Sequence, residues 1–181
     1  MSTFIDNINV LVNKGSSETM NWINNGLMPL GLSVDVWASI FFAKEFVDSH
    51  IGYEVTMVGH SKGGGEAIAN ALATNTNCIT FNPRNENYSA YGLNSNNYTG
   101  IMTHYIVDGE ILSSLIGKPQ IGNVVTVPTQ YYTMVPTLIF RRSGIGSRIV
   151  GVEYKKTITF DDSVDNHQIA AFLKAWAPKP M

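Results

Sequence analysis

Val55-Thr56-Met57-Val58-Gly59-His60-Ser61-Lys62-Gly63-Gly64-Gly65 decides the fold. An apolar run of β type, Tyr53 to Val58, delivers a serine into Gly-X-Ser-X-Gly, and a helical pattern of small residues from Lys62 to about Thr74 follows at once. Strand, glycine-flanked serine and helix, in that order, are what a nucleophile elbow requires. Gly59 and Gly63 fit because the turn is sharp, and a Cβ at either place would collide with the neighbouring strand or helix. The serine is thereby raised above the sheet, with the backbone N–H of Lys62 close to its oxygen and a helix N-terminus behind it.

Working outward, the same alternation recurs. Ile8 to Val12 reads as a short strand ending in the turn cluster Asn13-Lys14-Gly15-Ser16-Ser17. Ser33 suits the N-cap of a helix running to about Ser49, with Val36, Ile40, Ala43 and Val47 on one face. Cys78 to Phe81 and Met102 to Val107 are further strands, separated by an Asn- and Tyr-rich loop, Asn82 to Gly100, that is long enough to act as a flap. Val124 to Val127, Thr137 to Arg142 and Arg148 to Phe160 read as strands, the last two joined by a glycine turn at Gly144-Ile145-Gly146. Ser163 to Trp176 closes the chain as a helix, with Ile169, Phe172, Leu173 and Trp176 at helical spacing and Pro178 as its stop. Strands alternating with helices predict an α/β fold with a mainly parallel sheet flanked by helices.

Composition narrows the partners. The chain has 181 residues, 44% of them hydrophobic and only 14% charged, which fits one globular domain, 1–181, with a substantial core. A net charge of −2 supplies no electrostatic footprint for nucleic acid. The single cysteine, Cys78, falls inside a strand and reads as a small buried hydrophobe. No stretch approaches the roughly 18 apolar residues of a membrane helix, and the first residues lack a basic, then apolar, leader. A soluble protein is expected, the compartment staying open with the cytoplasm ahead of secretion. No cluster of metal-ligand residues suggests a metal, and no cofactor is expected.

A serine hydroxyl becomes a nucleophile only when a base takes its proton, and the base needs a carboxylate on its far nitrogen. Tyr105-Ile106-Val107 ends in Asp108-Gly109, placing a carboxylate at the carboxyl end of a strand, where sites gather in open α/β sheets. Asp165-Asn166-His167-Gln168 puts a histidine near the last helix, outside its apolar stripe. Ser61, Asp108 and His167 thus follow the chain order of α/β-hydrolases. Glu110 is the main rival to Asp108, with Asp161, Asp162 and Asp165 behind it. His104 falls within a strand, His50 at a helix end, and His60 beside the serine with its ring turned away, so all three are weaker bases by position. An oxyanion hole needs a second donor besides Lys62 N–H. Gly15-Ser16, after the first strand, occupies the right place, and Ser16 offers an N–H and a hydroxyl.

Lys14-Gly15-Ser16, Asn21-Trp22-Ile23-Asn24-Asn25, Gly59-His60-Ser61-Lys62-Gly63-Gly64, Val107-Asp108 and Asp165-Asn166-His167 together resemble the lipase class 3 group and its bacterial phospholipase-like relatives. The resemblance runs from about Ile8 to Trp176. It departs from the group's pattern at Lys14, where arginine is usual, at Asn21, where aspartate is usual, and at Lys62, where leucine is frequent. It implies an α/β-hydrolase fold, a carboxylic ester substrate, often a lipid, and the roles of nucleophile for Ser61, acid for Asp108, base for His167 and oxyanion contributor for Ser16. Because the chain starts almost at the oxyanion strand, the fold is expected to be a reduced one, abbreviated at the N-terminus. The sheet edge so exposed makes a homodimer an expectation, as a lipid substrate does for peripheral contact with lipid surfaces. Two other functions stay open: a different serine acyl chemistry, such as thioester hydrolysis or acyl transfer, and a non-catalytic binding protein of the same fold. The apolar residues of Leu27 to Leu32, with Tyr88, Tyr91 and Tyr98, either line an acyl groove or serve packing, and packing is the better reading.

Overall fold

The computed structural model describes residues 8–14, 34–143 and 146–177. Five strands, β1 (Ile8–Asn13), β2 (Glu54–His60), β3 (Asn77–Phe81), β4 (Met102–Val107) and β5 (Asn123–Val127), form one parallel sheet whose spatial order is the order of the chain. Parallel neighbours require crossovers. These contain α1 (Val34–Ser49) between β1 and β2, α2 (Lys62–Thr74) between β2 and β3, a 3-10 turn (Tyr88–Tyr91) between β3 and β4, and α3 (Ile111–Ile116) between β4 and β5. A two-stranded antiparallel hairpin follows, β6 (Thr133–Ser143) with β7 (Gly146–Thr157), then α4 (Phe160–His167) and α5 (Ile169–Trp176). This is the α/β architecture expected from the alternation of elements. No helix among the described residues is long and apolar enough to cross a membrane.

The register explains where the core lies. Met57, Cys78 and Met102 pair across three strands and so share one face. There they meet Val36, Ile40 and Ala43 of α1 and Ala67, Ala69 and Ala71 of α2, all buried. α2 can sit this close because its residues are small: Gly63 to Ala71 are all buried, and the helix packs on β1, β2, β3 and α1. Phe81, Tyr105 and Val125 occupy the opposite face. Only part of that face is covered, by a second cluster in which Ala171 and Phe172 of α5 pack with Val107 and Val127. On the same face Val10 and Val12 of β1 are 51% and 68% exposed among the described residues.

Several expectations shift. The strand into the elbow runs two residues further than Val58, to His60. Tyr88 and Tyr91 are buried in the main core, and Tyr98 donates its hydroxyl to Thr76 O at 2.7 Å, so the Asn82–Gly100 stretch is packed down and its tyrosines serve packing. Cys78 is buried, and burial pushes its thiol up to about 12. The last helix is two helices. A continuous one would give the carbonyls of Asn166 and His167 to N–H groups four residues on. Side chains of His60 and Asn82 take them instead, and Gln168 turns extended at ψ 150° before α5 begins. The expected apolar stripe fares accordingly: Phe172 is 1% exposed, but Ile169, Leu173 and Trp176 are 45%, 68% and 53% exposed. α3 was hidden in the sequence by its shortness. Ser33, Leu27 to Leu32 and Asn21 to Asn25 lie outside the described residues.

Candidate active site

The carboxyl ends of β2, β3 and β4 meet the start of α2, α3 and the end of α4. Ser61 stands between β2 and α2 with φ 57° and ψ −125°, a backbone conformation that costs roughly 1–3 kcal/mol and survives only where its surroundings dictate it. They do so with four hydrogen bonds. Ser61 N–H donates to Phe81 O at 3.2 Å, while its carbonyl accepts from Gly64, Gly65 and Arg84 N–H at 3.0, 3.2 and 2.9 Å. Gly59 makes the turn passable, since a Cβ there would stand 2.1 Å from Gly63 O.

His167, at the end of α4, presents Nε2 to Ser61 Oγ at 2.9 Å and Nδ1 to Glu110 Oε2 at 2.7 Å. An ionised carboxylate can only accept, so Nδ1 carries the proton, and Nε2 of the neutral ring is left to accept from the serine hydroxyl. All three side chains are withdrawn from water, Ser61 at 6% exposure, His167 at 0% and Glu110 at 1%. Burial by itself would push the Glu110 carboxyl up. The hydrogen bond and charge of His167, with further hydrogen bonds from Ser113, outweigh it and hold the group below the ordinary glutamate range.

The carboxylate that meets His167 is therefore that of Glu110, and the expectation for Asp108 is corrected. Asp108 is exposed, and its backbone ties the carboxyl ends of β4 and β5 together: its N–H donates to Val127 O and its carbonyl accepts from Thr129 Oγ1, each at 2.8 Å. Gly109, at φ +79°, then reverses the chain and aims the next residue inward. Glu110 also caps α3, accepting from the N–H groups of Leu112 and Ser113. That second task was the available signal: an acid directly before the apolar run Ile111-Leu112 is a helix N-cap buried by its neighbours. Asp161, Asp162 and Asp165 lie on α4; Asp161 and Asp165 are exposed, and the half-buried Asp162 completes a capping box with Thr159.

The other histidines have structural partners. His104 Nε2 donates to Ile121 O at 2.6 Å, which leaves Nδ1 to accept from Thr80 Oγ1 at 2.7 Å. His60 Nε2 donates to the carbonyl of His167 at 2.7 Å. Burial lowers the affinity of both rings for a second proton. His50 bonds Phe46 O on the exposed end of α1.

Two asparagines hold the histidine in place, and neither stood out in the sequence. Asn82, fully buried at φ 41°, donates from Nδ2 to Asn166 O and His167 O at 2.9 and 3.0 Å and accepts from Val107 N–H at 2.9 Å. Asn166 Oδ1 accepts from Gln130 and Tyr131 N–H at 2.9 and 3.0 Å, and its Nδ2 donates to Tyr131 O at 2.8 Å. The one hint was Asn82-Pro83 at a strand end, since asparagine tolerates a left-handed backbone and proline stops pairing.

Lys62 is the first residue of α2, so its N–H has no acceptor within the helix. Its ammonium pairs with Asp35 of α1 and lies 3.7 Å from Glu66. Lys62's hydrogen bond and charge hold Asp35 below the usual carboxylate range, and burial raises Glu66. At the end of β1, Asn70 Nδ2 donates to Asn13 Oδ1 and Ser39 Oγ, each at 2.8 Å, tying the strand to α1 and α2 where the Gly15-Ser16 segment departs. Ser16 lies outside the described residues.

Residues 3–136 match the family model described as phospholipase-like, Tle-like phospholipase domain. That span takes in the elbow and Glu110 and ends before α4. No curated protein matches the chain.

Proposed function

The chain belongs to the Tle-like phospholipase domain family, whose description is that of a lipid-ester hydrolase, and from that premise we propose that it is a serine acyl hydrolase in which Ser61 is the nucleophile, His167 the base and Glu110 the acid. The observation that carries the reading is the continuous hydrogen-bond line from Ser61 Oγ through the His167 ring to Glu110, at 2.9 and 2.7 Å. His167 Nε2 takes the hydroxyl proton as Ser61 Oγ attacks the ester carbonyl carbon. Glu110 steadies the imidazolium so formed. The negative charge moves to the carbonyl oxygen, where the free N–H of Lys62 is one donor and Ser16 is proposed as the other. Collapse of this intermediate breaks the bond to the leaving alcohol, which takes the proton from His167. Water, deprotonated by the same ring, then attacks the acyl-enzyme and releases the carboxylic acid.

The substrate class follows from the family and is an ester of a lipid; the class 3 lipase likeness of the elbow supports the same chemistry. Every catalytic step uses side chains and backbone groups of the chain itself. The test is Ser61→Ala assayed on p-nitrophenyl esters of short and long acyl chains and on a glycerophospholipid. We expect turnover to fall to background, and labelling of the native protein by a fluorophosphonate to disappear with it. Unchanged hydrolysis in the variant would overturn the reading, and failure of folded wild-type protein to be labelled would favour a binding protein that keeps the fold alone.

A further inference from the structure

The β6–β7 hairpin lies between β5 and the histidine-bearing α4, and it belongs to no sheet but its own. A lone two-stranded ribbon is marginally stable in water, yet this one is long and apolar. Directly opposed residues of an antiparallel pair point to the same side. The register opposes Pro136 to Tyr154 and Leu138 to Val152, which gives one face an apolar row that Met134, opposite Lys156, extends toward the base. Leu138, Val152 and Tyr154 are 47%, 51% and 63% exposed, so nothing in the chain's described residues covers that row.

The hairpin's charge is as unusual as its apolarity. Between Thr133 and Thr157 the sequence has five cations, Arg141, Arg142, Arg148, Lys155 and Lys156, against the single anion Glu153, a net of +4 in a chain whose total is −2. The register pairs Arg141 with Arg148 and places Arg142 opposite Ser147, so three arginine positions fall at the distal end of the ribbon, that of Arg142 on the side of the apolar row and those of Arg141 and Arg148 on the other. A ribbon with an apolar row along one face and cationic positions at its distal end is complementary to a surface that is apolar within and anionic at its rim. A second copy of this chain is a poor occupant by the same count, because facing hairpins would bring two strongly positive arms together.

The base of the hairpin meets residues that adjoin the proposed catalytic groups. Thr133 Oγ1 donates to Asp162 Oδ2 of α4 at 2.9 Å. Tyr131 is held through both its N–H and its carbonyl by Asn166, beside His167. A Cβ on Gly109, the turn that aims Glu110, would stand 2.3 Å from Ile158 Cδ1, just past β7.

We propose that the β6–β7 hairpin is an interfacial docking arm that seats the enzyme on anionic phospholipid surfaces, its arginine-bearing end meeting the headgroups and its apolar row lying along the acyl boundary. The proposal rests on the hydrolase reading for its choice of a lipid partner, and it makes anionic lipid aggregates the preferred substrate form.

The test uses Ser61→Ala protein, so that vesicles stay intact, in flotation against vesicles of phosphatidylcholine alone and of phosphatidylcholine with phosphatidylglycerol in equal parts. At least tenfold more protein is expected on the anionic vesicles, and raising the salt to about 1 M, where the screening length shrinks to about 3 Å, releases it. Arg141→Glu/Arg142→Glu/Arg148→Glu is expected to abolish the preference. On the Ser61 background the same reversal keeps turnover of a monomeric, water-soluble ester within about twofold while lowering turnover of vesicle phosphatidylglycerol tenfold or more. Should that variant misfold by circular dichroism, the corresponding arginine-to-glutamine triple and the salt dependence of the unaltered hairpin decide. Equal flotation on both vesicle types, flotation indifferent to the arginines or to salt, or a dimer by light scattering that Leu138→Asp splits would each overturn the docking arm. None of those results touches hydrolysis of the soluble ester, and loss of that hydrolysis would leave the flotation result standing.

Discussion

Glu110→Gln separates the proposed acid from its rival two residues earlier. The neutral amide is nearly isosteric, but Leu112 N–H and Ser113 N–H are accepted by different oxygens of Glu110, so the single oxygen of the amide keeps only one of these two cap bonds. What disappears is the charge 2.7 Å from His167 Nδ1. Both side chains are essentially without solvent, so water cannot stand in for the lost carboxylate. Replacing the acid of a serine triad by its amide lowers kcat by about 10⁴, and at 1.36 kcal/mol per factor of ten that is about 5 kcal/mol of transition-state stabilisation. We expect a loss of 10³- to 10⁴-fold in kcat with KM nearly unchanged, because the carboxylate acts through the histidine and not on the substrate. Asp108→Asn, an exposed change beyond the histidine's reach, is expected to stay within about threefold of wild type. Glu110→Ala should be equally inactive and also less stable by about 1 kcal/mol through the lost cap, lowering Tm by roughly 2–4 °C for a chain of this size. Initial rates on a soluble p-nitrophenyl ester, with thermal melts alongside, measure all three. Activity that survives in Glu110→Gln, or falls as far in Asp108→Asn, would refute the assignment and the reasoning from hydrogen-bond geometry behind it.

Asn82→Ala removes two donors from the carbonyls of Asn166 and His167 and one acceptor from Val107 N–H, all buried. At roughly 1–3 kcal/mol for each buried group left unpaired, the variant should lose several degrees of Tm and show a lower kcat at unchanged KM; an intact kcat would mean that His60 alone positions the base. The pH dependence of stability has a definite sign. His60 and His104 have proton affinities lowered from the ordinary 6.5 by burial, so the unfolded chain binds protons that the folded chain refuses. Their contribution is complete above pH 6.5 and is lost as the pH falls through the depressed folded values. Glu110, lowered from 4.5, adds a second loss below that. Tm should therefore decline steadily from neutrality toward pH 4, and a flat profile in differential scanning fluorimetry over that range would contradict the buried, neutral histidines.

The elements around Ser61 were legible because local chemistry dictates them. Gly59 has no alternative where a Cβ would meet Gly63 O at 2.1 Å, and the run from Gly63 to Ala71 is small because α2 is buried on nearly every side. That Ser61 and His167 would meet was legible too, as their hydrogen bond shows. Which carboxylate meets His167 was not, since Asp108 and Glu110 differ only in what Gly109 does between them, and a left-handed turn inverts the direction that strand alternation alone would assign. The same limit split the last helix. Spacing sees apolar residues recur from Ile169 to Trp176, but not that His60 and Asn82, distant in the chain by 107 and 85 residues, compete for the carbonyl at His167. That competition connects fold to chemistry. A continuous helix would satisfy its own backbone and leave the imidazole where helical geometry put it. Breaking the helix after His167 hands its carbonyl to side chains rooted in β2 and β3, the strands that also carry Ser61 and receive its N–H at Phe81 O. His167, the proposed base, is thereby fixed to the framework that fixes Ser61, and the 2.9 Å between them is set by the sheet rather than by helical geometry.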